Sequence, residues 1–314
     1  MYKNLIRIST LGMSREEWKQ ARKATIGGSD AAAIVGLSHF ASAYSVWAEK
    51  TGRIAEPEES EAMRQGRDLE DYVARRFTED TGKKVRRENA ILKNPNYPFA
   101  HANVDRLVVG EDAGLECKTT SALNLKRFKN GEFPANYYAQ CMHYMAVTGA
   151  KRWYLAVLVL GKMFPEPFVI ERDEDEIDAL MREEEALYHH IRDDTPPPAD
   201  GHSVTGEVMD ALRLADPGEG SVELFGRNEL FAQWQRLCGI IKEAEADKEN
   251  IKQLLTGDLG GAQIGLADGW RVSWKPQART TFDMARLFAE HPEIDPGQYA
   301  KTTRYMKFQI TEAR

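Results

Sequence analysis

Apolar and polar positions alternate along this chain with two different periods, and the period changes mark its elements. Up to residue 82 the period is helical. Ser14 precedes "REEWKQARKA", with Glu17 three residues on, which is the spacing of a capping box. In "IGGSDAAAIVG" two glycines lead into Ser29 and Asp30 and then a helix of small residues, with Ser29 as its expected cap. "AYSVWAEKTG" predicts a third helix, and "SEAMRQGRDLEDYVARRFTEDTG" a long fourth that Gly82 stops. "NYYAQCMHYMAVTGA" returns to the helical period and ends near Gly149, followed by "RWYLAVLVLG" as a fully buried strand and "PFVIERD" as a shorter one. An acidic amphipathic helix is expected from Asp173 to Arg192, and "DDTPPPADGHS" after it reads as a linker. Beyond it, Leu230, Trp234, Leu237, Ile241, Ala244, Ile251 and Leu255 keep a 4/3 spacing interrupted at Lys248, the seam of a helical hairpin or short coiled coil. A β-hairpin in "AQIGLADGWRVSWKP" and a last strand in "RYMKFQI" complete the pattern. The division expected is 1–192 core, 193–203 linker and 204–314 carboxy-terminal extension.

Between the helices, "HANVDRLVVGEDAGLECKTT" (101–120) has the period of a strand, and "GEDAG" inside it is a turn signal. Side chains of a strand alternate between faces, so Glu116 and Lys118 share one face and Leu115, Cys117 and Thr119 the other. A turn centred on Glu111 and Asp112 sets Asp105 opposite Lys118 and Leu107 opposite Glu116, which gathers Asp105, Glu116 and Lys118 on one face. Two readings of that cluster stand at this point. One is a structural ion pair on a solvated sheet. The other is a pair of hard-oxygen ligands for Mg²⁺, with an ammonium beside them to orient a water or stabilise charge on a phosphodiester under attack.

Composition narrows the classes. The chain has 314 residues, 42% of them hydrophobic, and no apolar run near the length of a membrane span. Its first twenty residues lack a signal-peptide layout, so a cytoplasmic location is expected. Cys117, Cys141 and Cys238 lie too far apart for a disulfide framework, a zinc ribbon or an iron–sulfur cluster. No P-loop motif occurs, so movement along a substrate has to draw on something other than ATP. Net charge is −7, but residues 1–162 hold 25 Lys and Arg against 19 Asp and Glu, with "KKVRR" and "KRFK" the densest clusters. The first half can therefore meet a polyanion while the rest repels one.

Four pieces in order, "ARKATIGGSDAAAIVG", "GRDLE", "VDRLVVGEDAGLECK" and "QCMHYMAVTG", resemble the YqaJ viral recombinase family. These are phage alkaline exonucleases related to lambda exonuclease, within the PD-(D/E)XK nuclease superfamily. The resemblance spans roughly residues 15–160 and implies an α/β fold with a restriction-endonuclease-like core, a mixed central sheet flanked by helices, followed here by an α+β extension. It implies that Asp105, Glu116 and Lys118 form the catalytic D…E-x-K motif. Asp105, Glu116, the Cys117 backbone carbonyl and Glu70 of "GRDLE" would then hold one or two Mg²⁺, for which Mn²⁺ substitutes. Val104 stands where the superfamily's proline would be, a departure without consequence for metal chemistry because proline offers no ligand. Arg22 and Ser29 fall on the positions that receive a 5′-phosphate. An anion there also agrees with glycines that allow close approach and with helix N–H groups. Gln140 and Tyr144 resemble a Q-x-x-x-Y signature, Gln140 beside the catalytic centre and Tyr144 a DNA contact or a core residue. His143 is expected on another face as an ordinary polar neighbour.

The activity so implied is a Mg²⁺-dependent 5′-to-3′ exonuclease on ends of linear double-stranded DNA that leaves 3′ overhangs for recombination. It would be a homotrimer, work with a single-strand annealing protein, and be encoded by a phage or prophage in a bacterial host. An endonuclease of the same superfamily is the alternative. A third reading is a DNA-end-binding or annealing module without hydrolysis.

Overall fold

The computed structural model describes residues 1–56 and 58–311. Two compact units divide the chain: Met1–Pro217 with a carboxy-terminal stretch from Tyr305, and Gly218–Arg304.

The first unit opens with β1 (Ile6–Ser9), α1 (Arg15–Lys23), β2 (Ile26–Gly27), α2 (Gly28–Ile34), α3 (Ala43–Lys50) and α4 (Glu61–Thr81). Strands β3 (Val85–Arg87), β4 (Ala90–Lys93), β5 (Ala100–His101), β6 (Arg106–Val108) and β7 (Ala113–Thr120) follow. Then come α5 (Ala135–Thr148), β8 (Arg152–Val159), β9 (Phe168–Glu171), α6 (Glu174–Arg192) and α7 (Ser203–Ala215). A five-stranded mixed sheet runs in the order β3-β6-β7-β8-β9, antiparallel except for the parallel pair β7–β8. A parallel pair needs a crossover, and α5 supplies it. The mixed sheet with flanking helices is the architecture expected.

Alternation along the two central strands sorts the core into two layers. Ala113 and Leu115 of β7 and Tyr154 and Ala156 of β8 pack against Val73, Ala74 and Phe77 of α4. Trp153, Leu155 and Val157 of β8 face the other way, onto Met142 and Met145 of α5 and Ile177 and Met181 of α6. Glu116 and Lys118 point with this second set, toward α5. A third cluster joins α2, α3, α6 and α7 through Ile26, Trp47, Leu187 and Val208. The Pro-rich segment at 193–203 lies within the first unit. At its end His202 Nε2 lies 2.9 Å from the Ser38 carbonyl oxygen, and just beyond it Thr205 Oγ1 donates to Ser42 Oγ at 2.7 Å.

Three of the expected helix ends are observed. Ser14 and Glu17 close a capping box, and Gly82 and Gly149 end α4 and α5 with φ of 72° and 70°. Several expectations are corrected. The β6–β7 hairpin pairs Arg106 with Leu115 and Leu107 with Gly114, two residues away from the expected register, because Gly110 at φ 83° makes the turn one position early. A shift of two leaves every side chain on its expected face. Ser29 does not cap α2: Gly27 is the N-cap, and its N–H donates to Asp30 Oδ2 at 2.9 Å. The longer aspartate side chain at N3 reaches back where the serine at N2 cannot. Residues 304–310 form no strand.

The second unit contains α8 (Asn228–Leu259), the hairpin β10 (Ile264–Ala267) and β11 (Trp270–Ser273), and α9 (Met284–Glu290). Helix α8 runs 32 residues without a break at Lys248, so it is a single rod and not a helical hairpin. Among the described residues no helix is long and apolar enough to cross a membrane.

Candidate active site

The β6–β7 hairpin and α5 close around Glu116. Asp105 ends the loop before β6, and its Oδ2 accepts the Cys117 N–H at 2.8 Å, which ties it across the hairpin to the strand that carries Glu116 and Lys118. Glu116 is only 2% exposed. Its Oε1 accepts Gln140 Nε2 at 2.8 Å and lies 2.6 Å from Lys118 Nζ. Its Oε2 is buried and has no partner. Gln140 also donates to Tyr144 Oη at 2.8 Å, so one turn of α5 fixes the amide that fixes the carboxylate. Lys118 Nζ stands 5.3 Å over the Tyr137 ring.

Charge explains how these groups titrate. Burial, then the Glu116 and Glu70 carboxylates, push Asp105 well above the usual carboxylate range, against the opposing pull of Lys118. Burial works against the Lys118 ammonium, but Glu116 and Asp105 outweigh it and raise its pKa, so the lysine stays charged. Burial, with the same two acids, raises the Cys117 thiol, which removes it as a nucleophile. Two buried acids thus share one ammonium, and one carboxylate oxygen is left without a donor. Such a cluster lacks positive charge.

A divalent cation fits that deficit. Asp105, Glu116 and the Cys117 carbonyl are hard oxygen donors from one hairpin. Mg²⁺ is commonly held by one or two carboxylates, its remaining positions going to waters and substrate phosphate. Among the described residues no group of three or more His, Cys, Asp and Glu side chains is placed to hold a metal ion, so protein carboxylates would supply at most part of the coordination. Glu70, from α4, makes an ion pair with Arg106, which also reaches Asp71 and donates to the Asp105 carbonyl at 2.6 Å. Arg106 is 4% exposed, and no local pattern in the sequence marks it. Its strand partner Leu115 packs on α4, the helix that carries Glu70 and Asp71, and only that helix in its folded place shows what Arg106 holds. Asn103 Oδ1 is likewise buried and unpartnered, two residues before Asp105.

Arg22 and Ser29 both line a cleft of about 920 Å³, together with Arg15, Lys19, Lys23 and Lys50. Acids border it too. Burial, then Asp30, raises the Glu49 carboxyl, and Lys50 pairs with Asp30 at 2.9 Å. Arg22 is held in place from two sides: its guanidinium lies 4.0 Å from the Trp18 ring centre, and its Nε donates to His101 Nε2 at 3.2 Å. His101 has no exposed surface. Burial, with Arg22 and Lys50 nearby, lowers its pKa to about 2. A neutral ring that accepts at Nε2 carries its proton on Nδ1, 2.9 Å from Thr25 Oγ1. Tyr144 is 4% exposed and is therefore a core residue. A Cβ on Gly28 would stand 2.6 Å from its ring, so the glycine admits Tyr144 against the start of α2. His143, on another face of α5 as expected, is fully buried against Glu184.

The YqaJ-like viral recombinase domain matches residues 17–151, a span that includes every residue named in this cluster except Arg15 and Glu184. The protein YqaJ of Bacillus subtilis (strain 168) is 35% identical over 305 residues, covering 96% of this chain and 95% of its own. Among solved structures, the alkaline exonuclease LHK-Exo of Laribacter hongkongensis is similar at 23% identity, with 57% of this chain and 93% of that chain covered and a TM-score of 0.49. The same enzyme in complex with dAMP gives 25% identity and a TM-score of 0.49. On the match to its Bacillus relative across almost the whole length, this chain belongs to the YqaJ-like viral recombinase family.

Proposed function

We propose that the chain is a Mg²⁺-dependent deoxyribonuclease that digests the 5′-ended strand of a linear duplex and leaves a 3′ overhang. The observation that carries this reading is the unpartnered, buried Glu116 Oε2 beside Asp105 and the charged Lys118. A purely structural ion pair would satisfy both carboxylate oxygens. When bound, Mg²⁺ would supply Lewis-acid polarisation of the scissile phosphate and of an attacking water. Asp105, Glu116 and the Cys117 carbonyl would hold it, with Glu70 as a further carboxylate close to the site.

The chain's own groups do the rest. Gln140 keeps Glu116 in one rotamer. Lys118 remains an ammonium, so it orients water and offsets charge on the phosphate and does not accept the water's proton. Water oxygen bonds to phosphorus as the bond to the 3′-oxygen breaks, one water proton passing to bulk water while the departing 3′-oxygen takes one up from it; a 5′-mononucleotide leaves and the remaining strand keeps a new 5′-phosphate. Arg22 and Ser29 receive that phosphate, Arg22 as a fork already set by Trp18 and His101. Capture of each new charge draws the duplex forward without ATP. Family resemblance extends the reading to a homotrimer acting beside a single-strand annealing protein.

The test is release of acid-soluble nucleotides from a 5′-phosphorylated linear duplex in Mg²⁺, with each strand end labelled in turn. Glu116→Gln and Lys118→Ala should each lower release by about 100-fold or more while DNA binding persists. Undiminished release by either variant overturns the assignment. Nicking of closed circles as fast as digestion of ends would identify an endonuclease instead. Binding that EDTA leaves unchanged, with no soluble product, would identify an annealing module.

A further inference from the structure

The negative charge of the second half of the chain is not evenly spread. Residues 269–282, "GWRVSWKPQARTTF", hold Arg271, Lys275 and Arg279 and no Asp or Glu. Among the described residues none of these three cations forms an ion pair. The same stretch carries Trp270, Trp274 and Phe282, each between 57% and 89% exposed and without a ring contact among the described residues. Aromatic and basic residues recur at 296–304, with exposed Tyr299, Lys301 and Arg304 and again no acid. The β10–β11 hairpin sets the two tryptophans. Ala267 pairs with Trp270 and Gly265 with Val272, and the Trp274 N–H donates to the Gln263 carbonyl at 2.9 Å, so Trp270, Val272 and Trp274 share one face. Gly265 lies against the end of α8, where an added Cβ would meet Leu259 Cδ2 at 2.8 Å. The middle of the face is thereby fixed to the helix, and a tryptophan stands on either side of it, roughly 13 Å apart along the strand.

Charge and rings together select the ligand. Three cations with no acid among them attract a polyanion. An apolar pocket of another protein would account for the tryptophans but not for the cations, whereas a nucleic acid answers both. In a duplex each base already stacks on its neighbours; in a single strand the base faces are free to stack on an aromatic side chain while basic groups follow the backbone. Lys275 and Arg279 lie just past the tryptophan face, on chain that forms no helix or strand, and Arg271 points to the reverse face of the hairpin.

We propose that the β10–β11 hairpin and the segment after it bind single-stranded nucleic acid, with unpaired bases stacked on Trp270 and Trp274 and phosphates met by Lys275 and Arg279. On the proposed activity the ligand is the strand that digestion exposes, but the binding needs neither hydrolysis nor a 5′-phosphate and is tested without them. Fluorescein-labelled oligothymidylate with a 5′-hydroxyl is titrated with the full-length protein in EDTA and followed by anisotropy. Trp270→Ala and Trp274→Ala should each weaken binding about 5-fold or more, and Trp270→Phe, which keeps a stacking ring, should bind close to wild type. Lys275→Gln with Arg279→Gln should flatten the slope of log affinity against log salt by about 1.4. A blunt duplex of the same length should lose nothing in the alanine variants. Photocross-linking with a 5-iodouracil strand should label the peptide that holds Trp270 and Trp274. Unchanged affinity in both alanine variants, an equal loss on the duplex, or cross-links confined to residues 1–217, as expected if another protein covers the hairpin, overturns the proposal. An oligouridylate arm separates the sources: with the same loss in the alanine variants, tighter binding of the deoxy strand assigns DNA and tighter binding of the ribo strand assigns RNA to this site.

Discussion

Removing His143 should cost more stability than removing its acidic partner, and removing both should cost less than removing the histidine alone. Both side chains are 0% exposed. His143 Nδ1 lies 2.8 Å and 3.0 Å from the two Glu184 oxygens, and Nε2 lies 2.9 Å from the His101 carbonyl oxygen. Each ring nitrogen faces an acceptor, so each carries a proton and the ring is an imidazolium. Burial opposes that charge, but the Glu184 carboxylate and its hydrogen bond outweigh burial and raise the His143 pKa. In His143→Leu the Glu184 carboxylate is left buried without a counter-ion, at about 3–5 kcal/mol, and the His101 carbonyl loses its donor, at about 1–3 kcal/mol more. In Glu184→Met the ring can shed the Nδ1 proton and still donate from Nε2, so the loss should be about 1–3 kcal/mol. The double variant removes the stranded charge and should recover most of the difference.

Urea unfolding of the full chain, followed by tryptophan fluorescence, measures this as a shift in midpoint at constant slope. The pH dependence has a fixed sign. A folded-state pKa above the ordinary histidine value of 6.5 gives a contribution that is complete below that value and is lost as pH rises through the raised one. Wild type should lose this increment on the alkaline side, and His143→Leu should not. Equal costs for the two single variants, adding in the double, would refute the argument, because uncoupled groups add.

Two other predictions concern the site. Gly28→Ala places a methyl 2.6 Å from the Tyr144 ring, so either α2 or the ring must shift. The expected cost is about 1–3 kcal/mol by urea unfolding, with nuclease activity falling further than stability because Gln140 depends on Tyr144; an unchanged midpoint refutes the contact. Asp105 is raised well above its ordinary range, so without metal its contribution is complete below ordinary carboxylate pH and is lost as pH rises through the raised value. Melting temperature in EDTA should therefore fall with rising pH, and added Mg²⁺ should restore it by an increment that grows with pH; an increment independent of pH would remove Asp105 from the metal site.

What the sequence showed of the site was what local periodicity dictates. A period of two puts Glu116 and Lys118 on one face whatever the turn, and a spacing of four puts Gln140 and Tyr144 on one side of a helix. The hairpin register is not legible in the sequence because it depends on which residue takes positive φ, and either glycine flanking Glu111, Asp112 and Ala113 can do so; in the fold it is Gly110. The α2 cap differs from the serine expected because a glycine at the cap, with aspartate at N3 accepting its N–H, starts the helix two residues earlier. His143 gave no sign of burial, since its partner lies 41 residues away on α6. The pairing of β1 with β4, and the Arg106 pairs, are equally non-local.

These non-local contacts give α5 a part in both sites. Gln140, His143 and Tyr144 occupy little more than one turn, and each governs a different neighbour. Gln140 fixes the Glu116 carboxylate, and Tyr144 packs on Gly28 at the start of the helix that carries Ser29. His143 holds the backbone of His101, whose side chain holds Arg22. The distance between the carboxylates proposed to hold the metal and the cleft proposed to take the phosphate is thus set by one rigid helix and not by a loop. The proposed stepwise digestion needs that distance constant, because each new 5′-phosphate would have to reach the cleft as the next phosphodiester reaches Glu116. It follows that damage to the Glu184–His143–His101–Arg22 path should weaken capture of the phosphorylated end, raising KM. Damage to the Gln140–Glu116 contact should lower kcat with end binding retained.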